Sequence, residues 1–139
     1  TARMDGYREG ITEAGGEFLD NETQYANATA DLAVTAMEGI MSKYPDGVAI
    51  ICSNNDDMAL GAIDAIEREG IMAGALKLVG IDGTPAGQEA FREGKLFGTV
   101  ESDREAYAKR IFDTAEELAM GKEVTQEKYF WCPQHMVAN

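Results

Sequence analysis

At 139 residues, 45% hydrophobic and 27% charged, the chain is sized for one domain with its own core and is neither disordered nor fibrous in composition. Its 25 acidic against 12 basic side chains give a net charge of −13, which repels nucleic-acid phosphates and anionic membranes at long range. No stretch approaches the length of a membrane span, and no signal-peptide pattern is present.

The chain opens directly on a helical pattern, so a preceding segment is expected. Met4, Tyr7 and Ile11 recur at helical spacing over 3–14, and Gly15-Gly16 ends the run. Residues 17–21, around Phe18 and Leu19, read as a short strand. A second helix is predicted over 27–44, with Ala33, Met37, Ile40, Met41 and Tyr44 on one face. Pro45-Asp46-Gly47 marks a turn, and the apolar run 48–53 reads as a strand covered on both faces. Within it, Cys52 is expected as a buried reduced thiol, since Cys52 and Cys132 form no framework. The only histidine, His135, has no ligand partner nearby in sequence.

The alternation then repeats. Residues 56–69 form a helix with Ala59, Ile63 and Ile66 inward; 76–81 is an apolar strand; 85–93 is a helix closed by Gly94; and 97–100 is a short strand. A strong helix over 104–120 ends at Gly121, and 129–132 reads as a final strand. Strands alternating with helices of these lengths imply βαβ units and an α/β fold, a doubly wound parallel sheet between helix layers.

Ligands of such sheets sit in the crevice beyond the carboxyl ends of the strands. Here those ends are Ser53-Asn54-Asn55-Asp56-Asp57, Asp82-Gly83-Thr84 and Glu101-Ser102-Asp103, all polar. Sugars are recognised by planar groups that exchange paired hydrogen bonds with neighbouring hydroxyls, which Asn55, Asp82 and an arginine could supply. Tyr25 could stack on a sugar ring or cover the core. Blander roles compete: Asp56 is favoured as a helix cap, Gly83-Thr84 as a turn, and Arg3 as a surface residue. A magnesium cluster of Asp56, Asp57 and Asp82 is the enzymatic alternative. Against catalysis stand the lack of a phosphate-binding glycine loop, a nucleophile elbow or a histidine base, and Lys77 and Lys95 lie away from strand ends. No catalytic residue, metal or cofactor is therefore expected.

At Ser53-Asn54-Asn55-Asp56-Asp57-Met58-Ala59-Leu60-Gly61-Ala62 and Val79-Gly80-Ile81-Asp82-Gly83-Thr84-Pro85, the chain resembles type I periplasmic sugar-binding proteins of the ribose- and galactose-binding kind. The likeness runs from Ala2-Arg3-Met4-Asp5-Gly6-Tyr7, through Gly94-Lys95-Leu96-Phe97-Gly98-Thr99-Val100, to Gly121-Lys122-Glu123-Val124. The resemblance implies two α/β lobes joined by three crossover strands that close on a sugar like a hinged trap. It implies that Asn55 and Asp82 bond sugar hydroxyls, that Arg3 forks two of them, and that Tyr25 stacks on the ring. Ser102 stands where ribose-type members carry Gln or Asn. Serine cannot make the paired bond of an amide, which leaves the identity of the sugar open.

The match covers only the second lobe, without that lobe's first strand. Residues 1–102 are expected to form the lobe's α/β core, 103–125 a helix that packs on the missing first lobe, and 126–139 a final strand and tail. The apolar face of that helix (Tyr107, Ile111, Phe112, Ala115, Leu118) would lose its partner, so self-association of the fragment is expected. The full-length relative is expected to be an extracytoplasmic sugar-binding component of an ABC transporter, partnered by a permease. It would bind no nucleic acid and insert in no membrane. The runner-up is the effector domain of a lactose-repressor-type regulator, which shares these lobes and carries a DNA-binding headpiece.

Overall fold

The computed structural model describes residues 1–123 and 134–138. In chain order the elements are α1 (Ala2–Glu13), a 3₁₀ turn (Asp20–Glu22), α2 (Ala30–Lys43), β1 (Ile50–Cys52), α3 (Asp56–Arg68), β2 (Lys77–Asp82), α4 (Pro85–Arg92), β3 (Gly98–Ser102), α5 (Arg104–Ala119) and β4 (Gln134–Ala138). The strands form one sheet in the order β1-β2-β3-β4. The first three run parallel, and β4 pairs antiparallel with β3.

The helices start where their caps dictate. Thr1, Asn55, Thr84 and Asp103 each accept a backbone N–H of the first turn of α1, α3, α4 and α5, and Pro85 opens α4 with its φ already set. The crossover helices α3 and α4 pack together, α3 against β2 and α4 against β3, while α2 lies along α3. Small residues allow that last approach: Met37 of α2 packs with Ala59, Ala62, Ile63 and Ile66 of α3, and Ala33 of α2 is buried as well. β2 is buried on both faces through Leu78, Val79, Gly80 and Ile81, as a central parallel strand requires. Met37, Ala59, Ala62, Ile63, Ile66 and Leu78 form one core with Ala90 and Leu96.

The α/β class and the parallel run agree with the sequence pattern, but four local expectations need correction. Residues 17–21 form no strand; Asp20–Glu22 is a 3₁₀ turn. A strand gains its backbone hydrogen bonds only from a neighbour, and the sheet offers none there. The strand read over 48–53 shrinks to Ile50–Cys52, an edge strand on which Ile50 is 37% exposed rather than covered on both faces. Asp56 does not cap α3; Asn55 does. The sheet is not wholly parallel, because β4 closes it as an antiparallel edge. The strand expected over 129–132, with Cys132, lies outside the described residues.

No side chain of α1 is fully buried, and polar contacts help to fasten the helix. Arg8 forks onto Asp20, with Nη2 to Oδ1 at 2.5 Å, and Lys43 Nζ meets Glu22 Oε1 at 2.5 Å, so α1 and α2 are both pinned to the 3₁₀ turn. Hydrogen bonds from Arg8 and Lys43 hold the Asp20 and Glu22 carboxyls below their ordinary ranges. Lowered folded-state values mean that this stabilisation is present at neutral pH and is lost as pH falls through them. Asp20 in the one pair and Lys43 in the other are more than half exposed, so both contributions are small.

Candidate functional site

The carboxyl ends of β1 and β2 and the first turn of α1 enclose an open hollow of about 510 Å³, lined by Thr1, Ala2, Arg3, Ala28, Asn54, Asn55, Met58 and Asp82. Three of the five residues singled out in the sequence meet there. Arg3 Nη1 donates to the Asn54 carbonyl at 2.5 Å, and Nη2 to Asp82 Oδ1 at 3.2 Å. The Arg3–Asp82 pair is roughly half exposed on each side, so it adds little to stability. What it does is hold a cation and a carboxylate side by side, each with hydrogen-bonding capacity left over for a hydroxyl-rich ligand.

Asn55 has two duties. Its Oδ1 accepts the Met58 N–H at 2.9 Å as the α3 cap, and its Nδ2 donates to the Ala28 carbonyl at 3.4 Å. Ala28, like Asn27, has positive φ, so this bond ties a strained loop to the rim. The remaining lone pair of Oδ1 and the second N–H of Nδ2 are the groups that Asn55 can offer to a ligand.

The other two candidates are placed elsewhere. Tyr25 is 82% exposed and does not line the hollow. Ser102, at the end of β3, accepts from Gln134 Nε2 at 3.5 Å, beyond the lining residues. Asp56, weighed above as a cap or metal ligand, is fully buried and turned inward. Among the described residues no group of three His, Cys, Asp or Glu side chains could hold a metal ion, and no helix is long and apolar enough to cross a membrane.

Sequence reasoning passed over Asn54, Met58 and Arg104. Asn54 lines the hollow, and its Oδ1 is buried with no hydrogen-bond partner among the described residues. Arg104 donates to the carbonyls of Asp82 and Gly83, bracing the turn that carries Asp82. Asn54 stood in the quoted motif and was legible; the bracing by Arg104 depends on β3 lying beside β2.

A second hollow, of about 470 Å³ and mainly apolar, opens beside β1 and includes Met4, Tyr7, Phe18, Met37, Ile51 and Cys52. Burial holds the Tyr7 phenol well above its ordinary value, with the nearby Cys52 adding to the effect, and its hydroxyl donates to the Ser53 carbonyl at 2.8 Å. That bond clamps α1, and with it Arg3, to the end of β1. Burial also pushes the free, partly buried Cys52 thiol up to about 11. With Cys132 replaced by serine, Cys52 at neutral pH is expected to react with a disulfide reagent about 100-fold more slowly than an ordinary free thiol, following its smaller thiolate fraction. The rate should climb about ten-fold per pH unit until the thiol ionises. Fast labelling at pH 7 would show that Cys52 is open to solvent.

The family model described as "Periplasmic binding protein domain" matches residues 1–123. The ribose import binding protein RbsB of Escherichia coli is 30% identical over 127 residues, covering 91% of this chain and 41% of that protein. The D-galactose/methyl-galactoside binding periplasmic protein MglB of Haemophilus influenzae is 33% identical over 87 residues, 63% of this chain and 25% of that protein. A Mycobacterium smegmatis protein solved in complex with β-D-fucofuranose superposes with a TM-score of 0.79 at 27% identity, covering 96% of this chain and 42% of that one. The Caulobacter myo-inositol binding protein shares the fold with a TM-score of 0.84 at 23% identity, covering 97% of this chain and 45% of that one. The chain thus spans less than half the length of these proteins, and its fold is that of type I periplasmic binding proteins. It belongs to the periplasmic binding protein domain family.

Proposed function

We propose that this chain is one lobe of a two-lobed solute-binding protein that holds a monosaccharide or similar polyol between its lobes and delivers it to an ABC-type permease outside the cytoplasm. The observation that carries the reading is the convergence of Arg3, Asn55 and Asp82, from three separate segments, on one open hollow at the carboxyl end of the sheet. A guanidinium fork, an amide and a carboxylate supply the paired donors and acceptors that neighbouring hydroxyls need. The relatives named for ribose and galactose support the same ligand class. The function is binding without bond-making, so no catalytic group is invoked. Tyr25 and Ser102 enter the reading as contacts completed on lobe closure, Tyr25 by stacking on the ring and Ser102 by a single hydroxyl bond.

The division of the chain follows. We read residues 1–102 as the lobe's α/β core and 103–125 as the helix that packs on the other lobe; of the final strand and tail assigned to 126–139, only β4 (Gln134–Ala138) lies among the described residues. α5 supports this division by facing the wrong way for a lone lobe. Its more shielded positions, Ala106, Asp113 and Glu117 among them, are mostly polar, while Tyr107, Ile111, Phe112 and Leu118 stand in solvent, Phe112 at 69% exposure. Apolar surface left in water forgoes about 25 cal/mol per Å². A second copy is the cover available to the isolated chain, which is therefore expected to self-associate. Light scattering showing a monodisperse monomer at high concentration would overturn the self-association.

The test of function is a thermal-shift screen of the full-length protein against pentoses, hexoses and cyclic polyols. A rise in Tm with one of them, lost in Asn55→Ala, is the expected result. A flat response to every sugar and polyol would overturn the ligand class.

A further inference from the structure

Asp82 ends β2 with φ of 117°, a backbone region that L side chains rarely adopt, and Gly83 follows at 61°. Gly83 adopts its φ freely, but the φ of Asp82 persists only where neighbouring groups over-determine it. Here both N–H groups that follow Asp82 are traced to one buried carboxylate. The Thr84 N–H donates directly to Asp56 Oδ2 at 2.7 Å. The Gly83 N–H donates to Thr99 Oγ1 at 3.2 Å, and that hydroxyl donates onward to Asp56 Oδ1 at 2.7 Å. The Thr84 hydroxyl repeats the relay, accepting from the Gly87 N–H at 3.0 Å and donating to Asp56 Oδ2 at 3.0 Å. Every hydroxyl proton therefore points at Asp56, and both of its oxygens act as acceptors.

Room for this carboxylate is made by omitting two side chains. A Cβ on Gly80 would stand 2.3 Å from Asp56 Oδ1, and one on Gly87 would stand 2.2 Å from Oδ2. Asp56 is itself fully buried, so it touches neither the hollow nor Arg3. Its place is beneath the turn. A buried carboxylate is costly to desolvate, and a cap or a packing residue would not need one.

We propose that Asp56 is a positioning residue: through Thr99 and Thr84 it holds the 82–84 turn in the strained form that presents the Asp82 carboxylate to the ligand. The proposal rests on the reading that Asp82 meets a sugar hydroxyl, and it adds the group that sets the geometry of that contact. The relay through Thr99 makes it separable from simple packing, because valine keeps the shape of threonine and loses the hydroxyl, whereas serine keeps the hydroxyl.

The experiment compares Thr99→Val, Thr99→Ser and Asp56→Asn in the full-length protein, with Leu96→Ala as a core variant that takes no part in the relay's hydrogen bonds. In ligand-free protein, amide exchange at Gly83 is expected to quicken at least about ten-fold in Thr99→Val and to return to within about three-fold in Thr99→Ser. Affinity for the sugar found in the screen is expected to fall about ten-fold or more in Thr99→Val and Asp56→Asn and to recover in Thr99→Ser. Leu96→Ala should lower Tm with little change in affinity. Thr99→Val decides the matter if Asp56→Asn does not fold. Unchanged Gly83 exchange and unchanged affinity in folded Thr99→Val would overturn the proposal. So would an affinity loss equalled by Leu96→Ala at the same loss of Tm. If the unaltered protein binds no sugar, the functional reading fails, and Gly83 exchange alone decides whether Asp56 anchors the turn.

Discussion

Replacing Asp82 by glycine is expected to abolish most sugar affinity while leaving the protein as stable as before or more so. The carboxylate's hydrogen bonds to a ligand are charge-assisted, each contributing about 1.5–3 kcal/mol, so affinity should drop between about ten-fold and a hundred-fold. Stability moves the other way. The φ of 117° at Asp82 costs about 1–3 kcal/mol in any side chain other than glycine, and glycine removes that strain. The greater freedom of glycine in the unfolded chain takes back about 0.5–1 kcal/mol, and the half-exposed ion pair with Arg3 is a small loss. Asp82→Ala separates the two effects, since it loses the carboxylate and keeps the strain. Its Tm should lie below that of Asp82→Gly, with affinity equally poor. Isothermal titration and thermal melts read both quantities. A glycine variant less stable than the alanine variant would show that the turn is not strained, and undiminished affinity in both would remove Asp82 from the site.

A single methyl group at Gly61 is expected to cost about 3 kcal/mol, a Tm fall of about 10 °C. The Cβ of an alanine there would stand 2.3 Å from the carbonyl oxygen of Ala30 and 2.9 Å from its Cα. These are backbone atoms at the start of α2, so no side chain can swing aside. The α2–α3 pair would have to part, and with it the packing of Met37 on Ala59, Ala62 and Ile66. Gly39, on the exposed side of α2, is the control: a Cβ there meets nothing within 4 Å. Gly39→Ala should stabilise by about 0.5–1 kcal/mol, because alanine is the better helix former. Urea melts of the two variants give the comparison. Equal effects would mean that the two helices do not approach as closely as Gly61 indicates.

Much of the site is legible in the sequence. Asn55 and Asp82 stood out because strand ends carry ligands in parallel sheets, and Arg3 entered through the family resemblance. All three line one hollow. Asp56 was misread because local rules favour an acidic residue at a helix start as a cap. Its real partners, Thr84 and Thr99, lie 28 and 43 residues away. Tyr25 and Ser102 entered through the family resemblance, and the sequence alone does not convey that both lie outside the hollow lined by Arg3, Asn55 and Asp82.

The sequence by itself determined the alternation of helices and strands, the parallel run of β1, β2 and β3, and the polar strand ends where a ligand would sit. Those features follow from apolar periodicity, caps and turn residues, which act within a few positions of one another. Only the tertiary structure decided that residues 17–21 form no strand, that β4 runs antiparallel and that Asp56 lies beneath the turn at Asp82. Each of these depends on which distant segment supplies a hydrogen-bond partner or an apolar neighbour. A strand needs an adjoining strand, and a buried carboxylate needs donors brought to it from across the fold.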